Sequence, residues 1–460
     1  MAELQPTAAP ADDPQQHSRK RNALAAVVGS VLEWYDFFLF STSAALVFNK
    51  IFFSGESEFV ATLASFATFA VGFAARPLGG LVLAHLGDRW GRKPVLQITL
   101  VLMGVGTIAI GLMPTYAQIG IWAPVLLVFC RILQGLGVGA ELGGAYVWTT
   151  ESAKPTQRGF FAALPGGGEF LGVVCASGAM AVVSSMDEES FLSWGWRLPY
   201  LASVIVVIGG FLLRHVADES ETFKEAVAEG KKEKLPLTAA VRSHGRTILL
   251  MIGAGSATAV ASYSIQGYLP AYTTQQLGMP ANAAVIAITI AASVSVIGVP
   301  VCGWLSDRFG RRPLIITGAL ATALFAAPFW LLVGTKSLPV ITMAVCLAFA
   351  VLLNSLIFGP SGSFFSELLP TEVRFSGLVL ARESTAVLFS GTAPFIATLL
   401  VHAGGGSPWL LAGYMALSGV ITAVSVLLLP ETAPRALRRK AIKSGDSDGS
   451  TPIDVQYAEV

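Results

Sequence analysis

Two acidic residues lie in an otherwise apolar stretch near the start of the chain, SVLEWYDFFLF at 30–40. Glu33 and Asp36 are three residues apart, so a helix would place both carboxylates on one face. Two neighbouring carboxylates in a medium of low dielectric constant resist being ionised together, and one of them is therefore suited to carrying a proton. The structural alternative is that both acids pair with a base and hold helices together.

Six more ionisable residues lie within long apolar stretches of the chain: Arg76, Arg131, Glu141, Glu169, Arg382 and Glu383. An ionisable side chain in hydrocarbon costs about 2.5–3.5 kcal/mol on insertion scales, so such groups usually pair with one another or line a water-filled path. They are therefore the first candidates for function.

Arg131 and Glu141 are candidates for the same proton chemistry as the first two acids. An arginine does not deprotonate in practice, but it can hold a neighbouring acid ionised until a proton or an anion competes. Glu141 follows ten residues later, which is about 15 Å along a helix, among glycines that let another helix approach closely. A fixed salt bridge at Arg131 and a packing hydrogen bond at Glu141 are the structural alternatives.

A second group of residues has the chemistry to bind a small anion. The guanidinium of Arg382 is a planar fork that matches a carboxylate, and Arg76 is a second candidate. Glu383 is a poor partner for Arg382, because adjacent residues on a helix point about 100° apart. An acid on another helix is therefore the structural alternative for Arg382.

Polar side chains on apolar segments extend this substrate-binding set. Tyr263 and Gln266, in ASYSIQGYLPAYTT (261–274), could hydrogen-bond a substrate. Glu169 follows a proline and three glycines, which loosen a helix so that its carbonyls can line a cavity. We assign Glu169 and Glu383 to the same pathway. Tyr146 and Trp148 are interpreted instead as anchors at a membrane interface.

The composition shows what must position these side chains. The 460-residue chain is 53% hydrophobic and 13% charged, with a mean hydropathy of +0.65. A soluble domain carries roughly 25% charged residues, and runs of about 20 apolar residues are long enough to span a bilayer. The apolar runs predict twelve membrane spans, at 23–49, 59–84, 95–113, 121–149, 159–184, 193–215, 246–272, 283–305, 313–333, 338–365, 374–401 and 408–430.

The distribution of positive charge predicts the orientation. Of the 30 Lys and Arg, three (Arg76, Arg131 and Arg382) lie well inside spans and three (Lys50, Arg197 and Lys336) lie at or near span ends on one side. The other 24 lie on the opposite side, in the N-terminus, in the even-numbered loops and the span ends next to them, and in the C-terminal tail. Positively charged loops stay in the cytoplasm, so both termini are predicted to be cytoplasmic.

The spans divide the chain into five predicted regions. Residues 1–22 form a cytoplasmic segment without the apolar core of a cleaved signal peptide. Residues 23–215 and 246–430 form two six-helix halves. Residues 216–245 form a central cytoplasmic loop that contains a short amphipathic helix, and 431–460 form a cytoplasmic tail of disordered composition.

Other features argue against an enzyme. The five histidines are scattered without ligand spacing, and the four cysteines lie in apolar runs without a CxxC pair. Neither a Ser/His/Asp set nor a phosphate-binding loop is present in the sequence. The net charge of +1 gives no reason to expect nucleic acid. We therefore expect no catalysis, no metal and no cofactor.

The two halves repeat one another. GDRWGRKP (87–94) and SDRFGRRP (306–313) are identical at five of eight positions and lie 219 residues apart. ESAKPTQRG (151–159) is echoed by ELLPTEVRFSG (367–377) at nearly the same offset. Two echoes at nearly one offset indicate duplication of a six-helix unit, with a binding site between the halves.

These motifs resemble those of a known family. The loop motif GDRWGRKP resembles the signature of the major facilitator superfamily. RILQGLGVGAELGGA (131–145), LEWYDFFLF, GWRLPYL (195–201) and FGPSGSFFSELLPTEVRFSG (358–377) resemble its metabolite:proton symporter branch. The resemblance covers about 20–430. The chain departs from the branch pattern at LVLARESTA (378–386) and LPGGGEFLG (164–172), where a substrate pocket is expected.

The resemblance also implies a latch at the cytoplasmic side. Asp88 and Arg92 are expected to lock this side shut when the protein faces outward. Their expected partners and counterparts, together with Arg89, complete the predicted gating set: Glu151, Arg158, Asp307, Arg308, Arg311, Glu367 and Arg374.

Together these observations predict an all-α membrane protein with the major facilitator fold. The resemblance implies proton-coupled import of a small organic acid anion by alternating access, across a bacterial inner membrane and by a monomer, with the proton as coupling ion. A zwitterion such as proline or betaine is the alternative substrate. A proton-driven exporter is disfavoured, because a full antiporter motif is absent from span five.

Overall fold

The regular structure of the chain is helical throughout the part that is described. The computed structural model describes residues 30–31, 33–54, 57–90, 92–138, 146, 149–150, 153, 155–216 and 237–434. The predicted N-terminal segment, most of the central loop and tail, and the candidates Glu141 and Glu151 lie outside the described residues.

A helix lies at the position of each predicted span. In chain order these helices are α1 (33–51), α2 (Glu58–Trp90), α3 (Arg92–Leu112), α4 (Trp122–Val138), α5 (Arg158–Val183), α6 (Arg197–Val216), α7 (Ala240–Gln275), α8 (Asn282–Phe309), α9 (Arg311–Gly334), α10 (Leu338–Glu367), α11 (Val373–Ala403) and α12 (Trp409–Leu428). Short helical turns precede some of them, at Tyr116–Ile119, Pro155–Gln157, Glu188–Ser190 and Phe191–Gly195.

The lengths and composition of these helices define a multi-pass membrane protein. Eight of the described helices, α2, α5 and α7–α12, are long and apolar enough to cross a membrane. Glu188–Gly195 and Arg197–Gly209 form a ninth span if the 42° bend between them is allowed. The apolar parts of α3 and α4, Gln97–Leu112 and Trp122–Val138, are shorter.

The start of the second half differs from the prediction. Helical structure begins at Leu237, within the predicted loop, and runs on to Ala254. The helix bends at His244, where φ is −129° and ψ is 24°. Part of the predicted amphipathic helix is therefore continuous with α7.

Three helices around the centre of the bundle contain π-helical turns just before a proline. These turns are Ser264–Tyr268 in α7, Cys346–Phe358 in α10 and Ala386–Ser390 in α11, and they precede Pro270, Pro360 and Pro394. Proline has no N–H and its ring crowds the carbonyl four residues earlier, so the regular hydrogen-bond ladder cannot pass through it. Such local widening is frequent at functional sites.

The two halves meet closely where α5 crosses α8. A Cβ atom added to Gly159 would lie 2.3 Å from the carbonyl oxygen of Gly303, and one added to Gly303 would lie 2.5 Å from the carbonyl oxygen of Gly159. Only glycine permits this approach of two backbones. The crossing fixes α5 against the second half beside the central cavity.

Candidate functional site

A cavity of about 140 Å³ lies between the two halves. Its wall comes from the middle parts of α1, α2 and α5 on one side and of α7, α10 and α11 on the other. An engineered cavity of about 150 Å³ in an unrelated protein holds a benzene molecule. The cavity is therefore of a size to hold one small organic molecule.

Arg76 of α2 is held by carboxylates from both halves. Its Nε and Nη2 donate to the two oxygens of Glu383 in α11, at 3.0 and 3.2 Å. Its Nη2 also lies 3.6 Å from a carboxylate oxygen of Glu33 in α1. The rings of Phe37 and Phe73 lie beside the guanidinium, each 5.4 Å from its central carbon. The side chain is 4% exposed, so these contacts satisfy a cation that water scarcely reaches.

Arg382, the residue before Glu383, makes the second ion pair between the halves. Its Nη2 donates to Glu169 of α5 at 3.3 Å. The hydroxyl of Tyr146 donates to the same carboxylate oxygen at 3.0 Å, and its ring lies 4.9 Å from the Arg382 guanidinium. The Arg382 side chain is 21% exposed and that of Glu169 is 1% exposed. Arg382 is thus the more accessible of the two arginines that line the cavity.

These two pairs have opposite polarity on α11. Adjacent residues of a helix point in different directions, so the acid Glu383 meets the base Arg76 on α2 while the base Arg382 meets the acid Glu169 on α5. Glu383 is accordingly not the partner of Arg382. One turn of α11 is tied by charge to two helices of the first half.

A third charged cluster lies inside the first half. Asp36 of α1 accepts hydrogen bonds from Thr107 of α3 and from Gln134 of α4, the latter at 2.8 Å. Arg131 donates to Gln134 at 2.9 Å and lies 3.9 Å from the second oxygen of Asp36. Glu33 and Asp36 therefore face different bases, Arg76 and Arg131, although they are only three residues apart in the sequence.

Phenyl rings separate this third cluster from the central cavity. The guanidinium of Arg131 is fully buried, with its central carbon 4.0, 4.9 and 5.5 Å from the ring centres of Phe40, Phe37 and Phe69. Phe37 and Phe69 each pack against Phe73, with ring centres 5.1 Å apart. Phe73 in turn lines the cavity. Arg131 can stack on these faces because a guanidinium is attracted to an aromatic ring.

Polar side chains of the second half face the same cavity. Tyr263 and Gln266 of α7 and Asn354 of α10 are all lining residues. The side-chain oxygen of Gln266 is buried and has no hydrogen-bond partner, so it can accept from a bound molecule. Asn354 donates to Ser295 of α8 at 3.1 Å, which fixes its orientation.

A latch of charged groups joins the halves at the end predicted to face the cytoplasm. Asp307, at the end of α8, accepts from the backbone N–H groups of Gly159 and Phe160 at 2.9 and 3.1 Å. These N–H groups belong to the first turn of α5, where the helix dipole favours an anion. Arg311 donates to Asp307 at 2.8 Å and binds both oxygens of Glu367 at 3.1 and 3.2 Å. The second-half copy of the loop motif is therefore engaged with the first half.

The other predicted gating residues have different surroundings. Arg308 is exposed and stacks on Trp304, with its central carbon 4.0 Å from the ring centre. Arg374 donates to the carbonyl of Leu369 at 3.2 Å, and Arg158 is half-buried at the start of α5. The side chains of three more lie outside the described part of the structure: Asp88, Arg89 and Arg92.

The halves also touch at the opposite end of the bundle. Gln275 at the end of α7 donates to Thr62 of α2 at 2.9 Å. Phe59 of α2 stacks on His402 of α11 with a ring separation of 3.7 Å. Contacts between the halves thus lie on both sides of the cavity.

Sequence reasoning missed several residues of the site. Tyr146 is not an interface anchor, because it is buried, lines the cavity and contacts both Glu169 and Arg382. A tyrosine near a helix end gives the same sequence signal in either role. Gln134 and Thr107 donate hydrogen bonds to Asp36, but the sequence gives no sign that these two polar residues differ from others. Glu431 accepts from the backbone N–H of Arg311 at 2.9 Å and was missed because it lies beyond the last span.

Among the described residues, none form a cluster of three or more side chains that could hold a metal ion.

Known proteins share this architecture. Residues 26–385 match the Major Facilitator Superfamily. The shikimate transporter of Escherichia coli (strain K12) is 35% identical over 416 residues, which cover 90% of this chain and 95% of that relative. The proline/betaine transporter of Salmonella typhimurium is 36% identical over 448 residues, which cover 95% of this chain and 86% of that relative. The crystal structure of a D-xylose-proton symporter has a TM-score of 0.71 at 20% identity, covering 91% of this chain and 99% of that one.

A helical bundle with a charged cavity between two halves defines a membrane transport protein of the secondary type. The chain belongs to the major facilitator superfamily. This confirms the fold and the family that the loop and helix motifs indicate. The likeness to the D-xylose-proton symporter concerns the fold alone, because the sequences are only 20% identical.

Proposed function

We propose that this protein imports a small organic acid anion together with protons by alternating access. In this proposal it acts as a monomer in a bacterial inner membrane, with both termini in the cytoplasm. Its relatives include a shikimate transporter and a proline/betaine transporter, which supports proton-coupled uptake of a small metabolite. The observation that carries the proposal is the partly exposed side chain of Arg382, which lines a cavity of about 140 Å³.

Arg382 is the residue we assign to the anion. Arg76 is engaged by Glu383 through both oxygens and is 4% exposed, whereas Arg382 has a single contact to Glu169 and is 21% exposed. A carboxylate entering the cavity can therefore replace Glu169 on Arg382 without disturbing Arg76. Tyr263 and Gln266 are placed to hydrogen-bond the rest of the molecule.

The charges of the cavity supply a reason for proton coupling. Arg76 and Arg382 face three carboxylates, those of Glu33, Glu169 and Glu383, so the cluster is formally negative by one charge when all are ionised. An added anion would be repelled in a medium of low dielectric constant. A proton on Glu169 removes the competitor of the anion for Arg382 and offsets the added charge.

Asp36 and Arg131 form the second proton site of the proposal. Their separation of 3.9 Å and their complete burial give a pair that is sensitive to the loss of one charge. When Asp36 is protonated, Arg131 keeps its hydrogen bond to Gln134 and its three ring contacts. Rearrangement of this pair would then be transmitted to the cavity through Phe37 and Phe73.

The latch supports alternating access. Asp307 caps α5 across the boundary between the halves and is held by Arg311. We propose that this contact closes the cytoplasmic side and that it breaks when the cavity opens inward. Asp88 and Arg92 would have the corresponding role in the first half.

A zwitterion is the second candidate substrate. It is favoured by the charge of the cluster, which has one carboxylate more than it has arginines. An ammonium group could be bound by an acid of the cavity and by the faces of Trp34 and Tyr263, which line it. The carboxylate of the same molecule could bind Arg382. This candidate differs from the first in needing no proton to balance the charge.

The proposal is tested by uptake into proteoliposomes with and without an acid-outside pH gradient. Labelled shikimate, citrate, 2-oxoglutarate, proline and betaine would each be tested. Arg382→Gln should abolish uptake of an anion, because the planar cation is lost, while Arg242→Gln should transport normally, because Arg242 is exposed and lies outside the cavity and the latch.

Accumulation of one acid that requires both the gradient and Arg382 would establish the proposal. Gradient-independent uptake of proline or betaine would favour the zwitterion. Normal anion uptake by Arg382→Gln would show that this arginine is structural.

A further inference from the structure

The number of cations in the central cavity limits the charge that a bound molecule can carry. Among the described residues that line this cavity, the basic ones are Arg76 and Arg382 and the acidic one is Glu169. Glu33 and Glu383 lie against Arg76 from α1 and α11. Three carboxylates therefore already face two guanidinium groups before a substrate enters.

Arg76 is committed to acids of the protein. Glu383 accepts from its Nε and Nη2 at 3.0 and 3.2 Å, and an oxygen of Glu33 lies 3.6 Å from its Nη2. A carboxylate that binds a guanidinium through two parallel N–H groups is held strongly. A substrate would have to displace Glu383 before it could use this edge of Arg76.

Arg382 is the cation that remains for the substrate. A hydrogen bond of 3.3 Å joins it to Glu169, and its side chain is 21% exposed, whereas that of Arg76 is 4% exposed. Its planar guanidinium matches the geometry of a carboxylate. Because one guanidinium carries one positive charge, Arg382 can neutralise one carboxylate of a bound molecule.

The neutral groups of the wall do not compensate for a second carboxylate. Thr258, Ser361 and Thr385 line the cavity, and their hydroxyl groups donate to carbonyls of their own helices at 2.9, 2.7 and 2.9 Å. A hydroxyl has one hydrogen to donate, so these three can offer a bound molecule only lone pairs. Neutral donors elsewhere in the wall add no positive charge, and burial of an uncompensated charge is costly.

We propose that the substrate of this protein carries a single carboxylate, so that monocarboxylates are accepted and dicarboxylates and tricarboxylates are rejected. The inference rests on the proposed import of an organic acid and narrows the class of that acid. Arg382 binds the carboxylate, and the rest of the molecule adds no further negative charge to the cluster. A zwitterion with one carboxylate meets the same condition.

Binding of matched acids to the purified protein in nanodiscs, measured by isothermal titration calorimetry, tests this limit. Each pair is a dicarboxylate and its monomethyl ester: succinate with monomethyl succinate, and phthalate with monomethyl phthalate. The pH is one at which every free carboxyl group of the ligands is ionised. The ester is the larger molecule of each pair but has one carboxylate, so a preference for it reports charge and not size.

We expect each ester to bind at least about tenfold more tightly than its parent dicarboxylate, because the second charge of the dicarboxylate has no cation to meet it. Uptake into proteoliposomes should show the same preference, with shikimate, a monocarboxylate, taken up in preference to 2-oxoglutarate and citrate.

Glu383→Gln should relax the limit. The amide keeps the size of the side chain, removes one negative charge and loosens the hold on Arg76. The affinity for a dicarboxylate relative to its ester should therefore rise about fivefold or more. Glu188→Gln is the matched control, because it makes the same substitution in an exposed pair with Lys50 outside the cavity, and it should keep the wild-type ratio.

A dicarboxylate that binds as tightly as its ester, or uptake of citrate or 2-oxoglutarate above that of every monocarboxylate, would overturn the proposal. These results come from the wild-type protein, so they hold even where Glu383→Gln does not fold. An unchanged ratio in folded Glu383→Gln would also overturn it, since Glu383 would then not be what withholds Arg76.

Failure of the proposed function gives a different result. If no acid were bound or taken up, the esters and shikimate included, import of an organic acid would itself be refuted. A preference for a dicarboxylate would leave acid import intact and refute only the limit to one carboxylate.

Discussion

Replacing Glu169 by glutamine tests how substrate and proton are linked in the cavity. Glu169→Gln keeps the size of the side chain, and its amide oxygen can still accept from Tyr146 and Arg382, which now lie 3.0 and 3.3 Å from the carboxylate. The variant removes one negative charge from a side chain that is 1% exposed. It therefore imitates the protonated state of Glu169 at every pH.

The size of the effect follows from the contact that is weakened. A hydrogen bond to a charged group contributes about 1.5–3 kcal/mol, and one between neutral groups about 0.5–1.5 kcal/mol. Releasing Arg382 from its ionised partner should thus favour an entering anion by about 1–2 kcal/mol. This corresponds to about five- to thirtyfold tighter binding under conditions where wild-type Glu169 is ionised.

The assay is exchange of labelled for unlabelled substrate across proteoliposomes held at one pH on both sides, repeated from acid to alkaline pH. The wild type should lose affinity for the anion as the pH rises, whereas Glu169→Gln should keep a nearly constant, high affinity. Concentrative uptake driven by a pH gradient should weaken in the variant, since its glutamine carries no proton and only the proposed proton site at Asp36 remains. Weaker binding than wild type at every pH would refute the reasoning and make Glu169 a structural partner of Arg382.

Two further predictions concern the latch. Asp307→Asn weakens the cap on α5, whose N–H groups donate to the aspartate at 2.9 and 3.1 Å. The rate of uptake should therefore fall about tenfold, while the affinity in binding assays should change less than about twofold. Equal losses of rate and affinity would argue against a gating role. Gly159→Ala brings a Cβ to 2.3 Å from the carbonyl oxygen of Gly303. Closure of the cytoplasmic side and uptake should therefore be lost, and the midpoint of thermal unfolding should be lowered. An unchanged yield of cross-linking between cysteines placed on α5 and α8 would contradict this expectation.

The sequence was sufficient to predict the elements that follow from local composition. Apolar runs of spanning length predicted helices that the structure has, and the repeated loop motif predicted two related halves. The departures from the family pattern at 164–172 and 378–386 were also informative. Glu169 and Arg382 come from these two segments and both line the cavity, and Glu383 pairs with Arg76, another residue of the cavity wall.

The pairing of the charged residues could not be predicted. Glu169 and Arg382 are 213 residues apart, and their contact depends on how two halves of the bundle pack. The shared helix face of Glu33 and Asp36 suggested one acid pair, but residues three apart still differ in direction by about 60° on a helix. That difference is enough for Glu33 to meet Arg76 of α2 while Asp36 meets Arg131 of α4.

The beginning of α7 was predicted too late for a different reason. The residues after Pro236 are only moderately apolar, so a search for spanning runs starts at 246, whereas α7 begins at Ala240 and the helical turn that leads into it begins at Leu237. Amphipathic turns at a membrane surface are helical without being apolar throughout. Hydropathy therefore places the membrane-embedded part of such a helix but not its first turn.

Under the proposed function, the charge pattern on α11 would link binding to movement in a way that neither pair alone would. Arg382 and Glu383 are neighbours, yet each is tied to a different helix of the first half. The cluster carries a formal excess of one negative charge when it is empty, and a bound monoanion with one proton leaves that excess unchanged. A bound anion without its proton would instead add a second uncompensated charge at the boundary between the halves, where it is poorly screened. In the proposed mechanism the empty and the fully loaded cavity are thus electrically alike, so we expect the halves to rearrange in either state but to be opposed when only the anion is present.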